Sequence, residues 1–230
     1  MGKLTKNRKL SEAKIDNTKL YNLDEACSLI KDITTTKFDA SVDLAVRLGV
    51  DPKKANEMVR GVVSLPNGTG KDMKVLALVS PDKEDEAKNA GADYVGLDEY
   101  VEKIKGGWTD VDVIVTMPSV MGKLGPLGRI LGPRGLMPNP KTGTVSDDVV
   151  TAINNVKAGQ VRFRTDKNGI IHGSIGKVTF DSNKIKANAS ALLEELKKLK
   201  PASAKGVYIN NIAISSTMGP GIKINSGELV

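Results

Sequence analysis

"KVLALVSPDKEDEAKNAGADYVGLDEYVEKIKGGWTDVDVIVTM", residues 74–117, decides the fold. Its outer segments, "KVLALV" and "VDVIVTM", are nearly unbroken apolar runs of strand length. A strand that is apolar on both faces is buried on both, as in a parallel sheet covered by helices. Between them lie a polar helical stretch, "DKEDEAKNAG", a short strand, "ADYVG", and a second helix, "LDEYVEKIKGG". Strands alternating with helices build βαβ units, so this block predicts a Rossmann-like parallel α/β layer.

Outward from this block the periodicity changes. On the N-terminal side, "YNLDEACSLIKDI" (21–33) reads as a helix with Asn22 and Glu25 placed as a capping box. "FDASVDLAVRL" (38–48) then alternates strictly, with Phe38, Ala40, Val42, Leu44, Val46 and Leu48 on one face. "RGVVSLPNGTGK" (60–71) ends a short strand in a glycine-rich turn. On the C-terminal side, a Gly/Pro-rich segment precedes the helix "SDDVVTAINNVKAG" (146–159). Alternation returns in "QVRFRTDKNGIIHGSIGKVTF" (160–180), with Lys167-Asn168-Gly169 predicted as a hairpin turn. The helix "NKIKANASALLEELKKLK" follows, and the last strand, "VYINNIAIS", slips register at Asn210-Asn211.

Neither flank has enough strands to close a core alone. The expectation is therefore two domains. Residues 1–66 and 160–230 form a composite α+β domain with an antiparallel sheet, and 67–159 form an inserted parallel α/β domain. Charge divides the same way: 67–159 hold 11 Lys and Arg against 13 Asp and Glu, whereas the flanks hold 23 against 14. The chain's net charge of +7 thus sits on the composite part, which raises the odds of a polyanionic partner.

Enzyme signatures are missing. "NGTGKD" has no Ser or Thr after Gly-Lys, and Leu65 stands where a P-loop needs glycine. No G-x-G-x-x-G follows "KVLALV", and one histidine with one cysteine gives no nucleophile–base set and no zinc spacing. Neither catalytic residues, nor a cofactor, nor a metal site is expected. Cys27 lies on the apolar face of its helix and reads as a small buried hydrophobe. A single cysteine fits a reducing compartment, and no run of the sequence is long and apolar enough to span a bilayer, so a cytoplasmic protein is expected.

What remains is "GKLGPLGRILGPRGLMPNPKTGTV", residues 122–145. It carries Lys123, Arg129, Arg134 and Lys141, and no acidic residue occurs between Asp112 and Asp147. Exposed backbone amides with unopposed basic side chains suit phosphate. It reads as a long loop without elements of its own and as a candidate RNA contact.

"KFDASVDLAVRLGVDPKKANEMVRGVVSLPNGTGK" (37–71), "LGRILGPRGLMPNPKTGTV" (127–145) and "STMGPG" (216–221), in that order along the chain, closely resemble the bacterial ribosomal protein L-one family. The resemblance runs over essentially the whole chain. It implies the two-domain architecture above, with a hinge, and a structural rather than catalytic role. Members bind a structured site in large-subunit rRNA and form the mobile stalk beside the exit site, among other large-subunit components. They also assist release of tRNA and, in bacteria, repress translation of their own operon mRNA. A protein that is ribosome-associated and monomeric when free is implied.

The resemblance also implies site residues. The family's strand-end contact matches Thr217, Met218 and Gly219, with Ser215 just before them. Its second contact segment matches Lys37, Phe38 and Ser41. His172 and Lys167, on the neighbouring hairpin, stand as further candidates beside those the resemblance implies. Plainer readings stand beside these: Phe38 as the start of a core face, His172 as an ordinary strand residue and Lys37 as a solvated charge. A nucleotide-binding enzyme and a nonspecific nucleic-acid packaging protein are the rival functions. Aromatic content of 3% weighs against a single-strand stacking platform.

Overall fold

The computed structural model describes residues 5–16, 18–54 and 56–228. From the N-terminus run α1 (Lys6–Glu12), α2 (Leu23–Ile33), β1 (Ser41–Leu48) and β2 (Arg60–Ser64). Then come β3 (Val75–Leu78), α3 (Glu84–Asn89), β4 (Tyr94–Val95), α4 (Asp98–Lys105) and β5 (Val113–Thr116). Two one-turn helices, α5 (Met121–Leu124) and α6 (Gly128–Leu131), precede α7 (Val149–Lys157). The chain closes with β6 (Gln160–Arg164), β7 (Ile170–Lys177), α8 (Ser182–Lys198), β8 (Ile209–Ser216) and β9 (Ile222–Ile224). Packing divides this into two compact units, Met1–Gly70 with Val161–Val230, and Lys71–Gln160.

In the second unit β3 is the middle of a parallel sheet of order β4-β3-β5. Every residue of β3 and β5 is buried, and the pleat, with both faces covered, explains why all but Thr116 are apolar. Val75, Ala77 and Val79 point to one face, where Val149, Ile153 and Val156 of α7 cover them. Leu76 and Leu78 point to the other, against Val101 and Ile104 of α4. That second face also takes Leu124, Leu127 and Leu131, so the Gly/Pro-rich segment is not the element-free loop expected from its composition. Leucines at this spacing form one buried stripe along a broken helix. Pro118 and Pro126 sit in the first turns of short 3-10 segments, where a missing amide hydrogen costs nothing.

The first unit has an antiparallel sheet of order β7-β1-β8-β9. Alternate residues of β1 enter the core, and Val42, Leu44 and Val46 are fully buried. The core joins both chain ends: Ile30 and Leu44 pack in one cluster with Ile171, Leu192 and Ile214. The slip in β8 is present, since Arg47 faces Asn211 while Leu48 faces Ile209.

Three local expectations change. Around Lys167 the turn forms, with the Asp166 carboxylate accepting from the amides of Asn168 and Ile170 at 2.8 Å each, yet β6 and β7 are no hairpin. β6 joins β2 in a separate two-stranded sheet, and β7 joins β1. Asn22 holds the N-cap position of α2 without a side-chain cap bond, and Glu25 pairs with Lys19 at 3.0 Å, so no capping box forms. Phe38 is 59% exposed: the chain bends before Ser41, so Phe38 never joins the apolar face of β1.

Candidate nucleic-acid interface

The start of β1 meets the end of β8, and Thr217 closes the junction. Its amide donates to Ser41 O at 3.0 Å. Its hydroxyl accepts from Ser41 N at 3.1 Å and lies 3.3 Å from Ser41 O, to which it donates. The side chain thus continues the β ladder one step further, and one lone pair of its oxygen remains for an outside donor. Ser216 turns inward, 3% exposed, and shares a 2.9 Å hydrogen bond with the Thr34 hydroxyl.

The strand then reverses in a β-turn, with the Gly219 amide donating to Ser216 O at 2.8 Å. A Cβ at position 219 would stand 2.4 Å from Ser216 Oγ, so only glycine fits. Met218, the third residue of the turn, has φ +65°, where turns ordinarily take glycine or asparagine. It is the one non-glycine residue with positive φ among those described, and it is 82% exposed. Ser216, Thr217 and Gly219 each have a structural reason to be there. Met218 has none: the fold bears a strained backbone to hold an apolar side chain in solvent.

Beside Met218 opens a groove of about 650 Å³, lined by Thr36, Lys37 and Phe38 and by Asn7 and Arg8 of α1. The hydroxyl of Thr36 donates to Phe38 O at 3.1 Å and holds the bend. α1 is fastened to the last carbonyls of α2: Ser11 Oγ donates to Ile33 O and Lys14 Nζ to Asp32 O, both at 2.8 Å. Arg8 Nε donates to Glu12 Oε1 at 2.7 Å, which leaves the two amino groups of the guanidinium uncommitted. Sequence reasoning named Lys37, Phe38 and Met218 and missed Asn7 and Arg8. The signal available was the basic run "KNRK" at 6–9.

The remaining candidates of the first unit are spread along the outer sheet face towards its far end. Ser215 is half-buried on the outer sheet face, opposite Asp43. His172 is exposed on the same face, opposite Ala45, with Nε2 3.8 Å from Asp166 Oδ2. Asp166 is held below the usual carboxylate range, chiefly by the Ile170 amide and further by that of Asn168. Lys167 is exposed in the turn before β7, which places it at the far end of the sheet from Ser41 and Thr217, roughly 20 Å away at 3.4 Å per residue. So Lys37, Phe38, Ser41, Thr217, Met218 and Gly219 form one cluster, Ser215 adjoins it one step along the outer face, and His172 and Lys167 lie further along the sheet.

In the second unit Lys123 is spent on Asp98 at 2.8 Å. Arg129, Arg134 and Lys141 are exposed and meet no carboxylate among the described residues. A ligand of an open α/β sheet would sit at the carboxyl ends of β3 and β5. There the chain's own return fills the space: the Thr116 hydroxyl donates to Leu78 O at 2.9 Å, its amide to Thr144 O at 2.9 Å, and Ser146 N donates back to Thr116 O at 3.1 Å. Among the described residues no helix is long and apolar enough to cross a membrane, and no three His, Cys, Asp or Glu gather as metal ligands would.

The sequence model of the ribosomal protein L1p/L10e family matches residues 29–220. Large ribosomal subunit protein uL1 of Christiangramia forsetii is 67% identical over 226 residues, covering 98% of this chain and 97% of that protein. The uL1 proteins of Bacteroides thetaiotaomicron and Porphyromonas gingivalis are 65% and 64% identical over 225 residues, with the same coverage. On this match the chain belongs to the ribosomal protein L1p/L10e family.

Proposed function

We propose that this chain is a structural protein of the large ribosomal subunit that binds large-subunit rRNA through its first unit and builds the mobile stalk. In the same reading it assists release of exit-site tRNA, represses its own operon mRNA by binding a similar RNA structure, and catalyses nothing. Near-full-length identity to proteins named as large-subunit components supports the assembly. The observation that carries the RNA reading is Met218, strained and exposed beside Phe38 and next to Lys37 and Arg8.

The chemistry follows from that placement. Structured RNA offers phosphates and 2′-hydroxyls across a wide, shallow minor groove. Lys37, His172 and Lys167, spread over the first unit, supply cations and donors for phosphate. Ser41, Ser215 and the free lone pair of Thr217 suit 2′-hydroxyls, and Gly219 lets backbone come close. Arg129, Arg134 and Lys141 form a second RNA-contacting patch on the other unit. Lys123 serves it less, because Asp98 already neutralises it.

Gel-shift titration of the full chain against an rRNA stalk fragment, a plain duplex and a single strand tests this. Strong preference for the fragment is expected. Equal binding to all three would point to nonspecific packaging, and tight nucleotide binding without RNA to an enzyme.

A further inference from the structure

α1 lies outside the three quoted motifs and outside residues 29–220 matched by the family model, and yet it lines the groove beside Met218. We propose that this groove receives one unpaired nucleotide of the bound RNA, its base against Phe38 and Met218 and its phosphate on Arg8 and Lys37. The inference rests on the RNA-binding reading above and adds to it a pocket, an element and a kind of nucleotide.

Shape and lining support it. A volume of about 650 Å³ lies within the range of small-ligand pockets. A paired base is locked in its helix and presents only an edge, so it cannot enter a concave site of this kind. Unpaired bases can be splayed out and laid on aromatic side chains. Phe38 and Met218 are the apolar surfaces for that, at 59% and 82% exposure, and an exposed apolar side chain gains when a base covers it. Asn7, with two donors and an acceptor, is suited to the polar edge of a base.

The charges fit a single phosphate. Glu12 is the acid that holds Arg8, and it binds Nε, which fixes the guanidinium while leaving both amino groups for a bidentate contact. Lys37 pairs with no carboxylate among the described residues. Because Ser11 and Lys14 fasten α1 to the end of α2, Arg8 is presented by a docked element rather than by a loose tail.

The test uses the full chain with two probes, the rRNA stalk fragment and a fully paired duplex of equal length. Arg8→Gln should lower affinity for the fragment about tenfold and reduce the log–log salt slope by about 0.7 to 0.9, the release from one phosphate. Phe38→Ala should also lower it about tenfold, with the salt slope unchanged. Both variants alter exposed side chains and should melt as the parent does. Duplex binding should fall clearly less than fragment binding in both variants. Parent-like affinity for the fragment in both variants would overturn the pocket while leaving the RNA-binding reading intact. Equal losses on fragment and duplex would overturn it too, reducing Arg8 and Phe38 to general contacts. A parent protein without preference for the fragment would sink the functional reading itself, and the pocket with it.

Discussion

Replacing Met218 with glycine should separate what the turn needs from what the RNA needs. In the folded chain Met218 sits at φ +65°, which costs an L-residue about 1–2 kcal/mol. Glycine removes that strain but adds about 0.5–1 kcal/mol of unfolded-state freedom. The two nearly offset, so Met218→Gly should be neutral or up to about 1.5 kcal/mol more stable. At roughly 2–4 °C per kcal/mol for a chain this size, the melting temperature should hold or rise by a few degrees. Binding should move the other way. Fully burying a methionine is worth about 1.5–3 kcal/mol, and with the residue 82% exposed most of that is still to be gained on contact. The loss should be about 1–2.5 kcal/mol, or roughly fivefold to seventyfold in affinity for the stalk fragment. Thermal melts by circular dichroism and fluorescence-anisotropy titrations read the two quantities independently. A Met218→Gly protein that melts lower yet binds RNA as tightly as the parent would refute the reasoning, because the side chain would then serve the fold.

Thr217→Val should, unlike Met218→Gly, destabilise the chain by about 1–3 kcal/mol, since it leaves the Ser41 amide without its 3.1 Å acceptor. Thr217→Ser keeps that acceptor and should melt within a degree or two of the parent; denaturant titration of both variants checks this. Lys37→Gln and Lys167→Gln should each lower the salt slope of RNA binding by about 0.7 to 0.9 if each neutralises a phosphate, as titrations across a range of potassium chloride would show. Burial, and secondarily the Asp24 charge, pushes the Cys27 thiol up from 9.0 to about 11. The fold therefore favours the neutral thiol, and the stability it contributes holds below pH 9 and is lost as pH rises towards 11. At pH 8 a thiol-specific reagent should label Cys27 only when denaturant opens the fold, and prompt labelling of native protein would contradict this.

Much of the architecture was legible because side-chain periodicity is a local property. The nearly unbroken apolar runs of β3 and β5 announce a sheet covered on both faces, and the strict alternation of β1 announces one covered on a single face. The Leu192, Leu193 and Leu196 stripe of α8 is legible for the same reason. The 122–145 segment misled because glycine and proline suggest a loop, whereas its three leucines, 124, 127 and 131, carry the stronger signal once a sheet exists to receive them. The supposed hairpin at Lys167 failed similarly. Its turn chemistry is real, but the turn does not decide which partner each strand finds, and β2 and β1 lie some hundred residues away in sequence.

By itself, then, the sequence determined the kinds of layer, the discontinuous core and the family, because each depends on residue types at fixed spacings along one stretch of chain. It also marked "STMGPG" and "KFDAS" as segments to watch. Only the tertiary structure decided what each residue in them does. Ser216 and Gly219 are committed to packing by contacts made after the strand reverses, and Thr217 by a hydrogen bond to Ser41, 176 residues away. Met218 is left exposed by the same turn, and Arg8 arrives beside it through two bonds that fasten α1 to the end of α2. Those are long-range contacts between backbone and side chain, and no periodicity within a segment encodes them, since the partner is chosen by the packing of the whole unit.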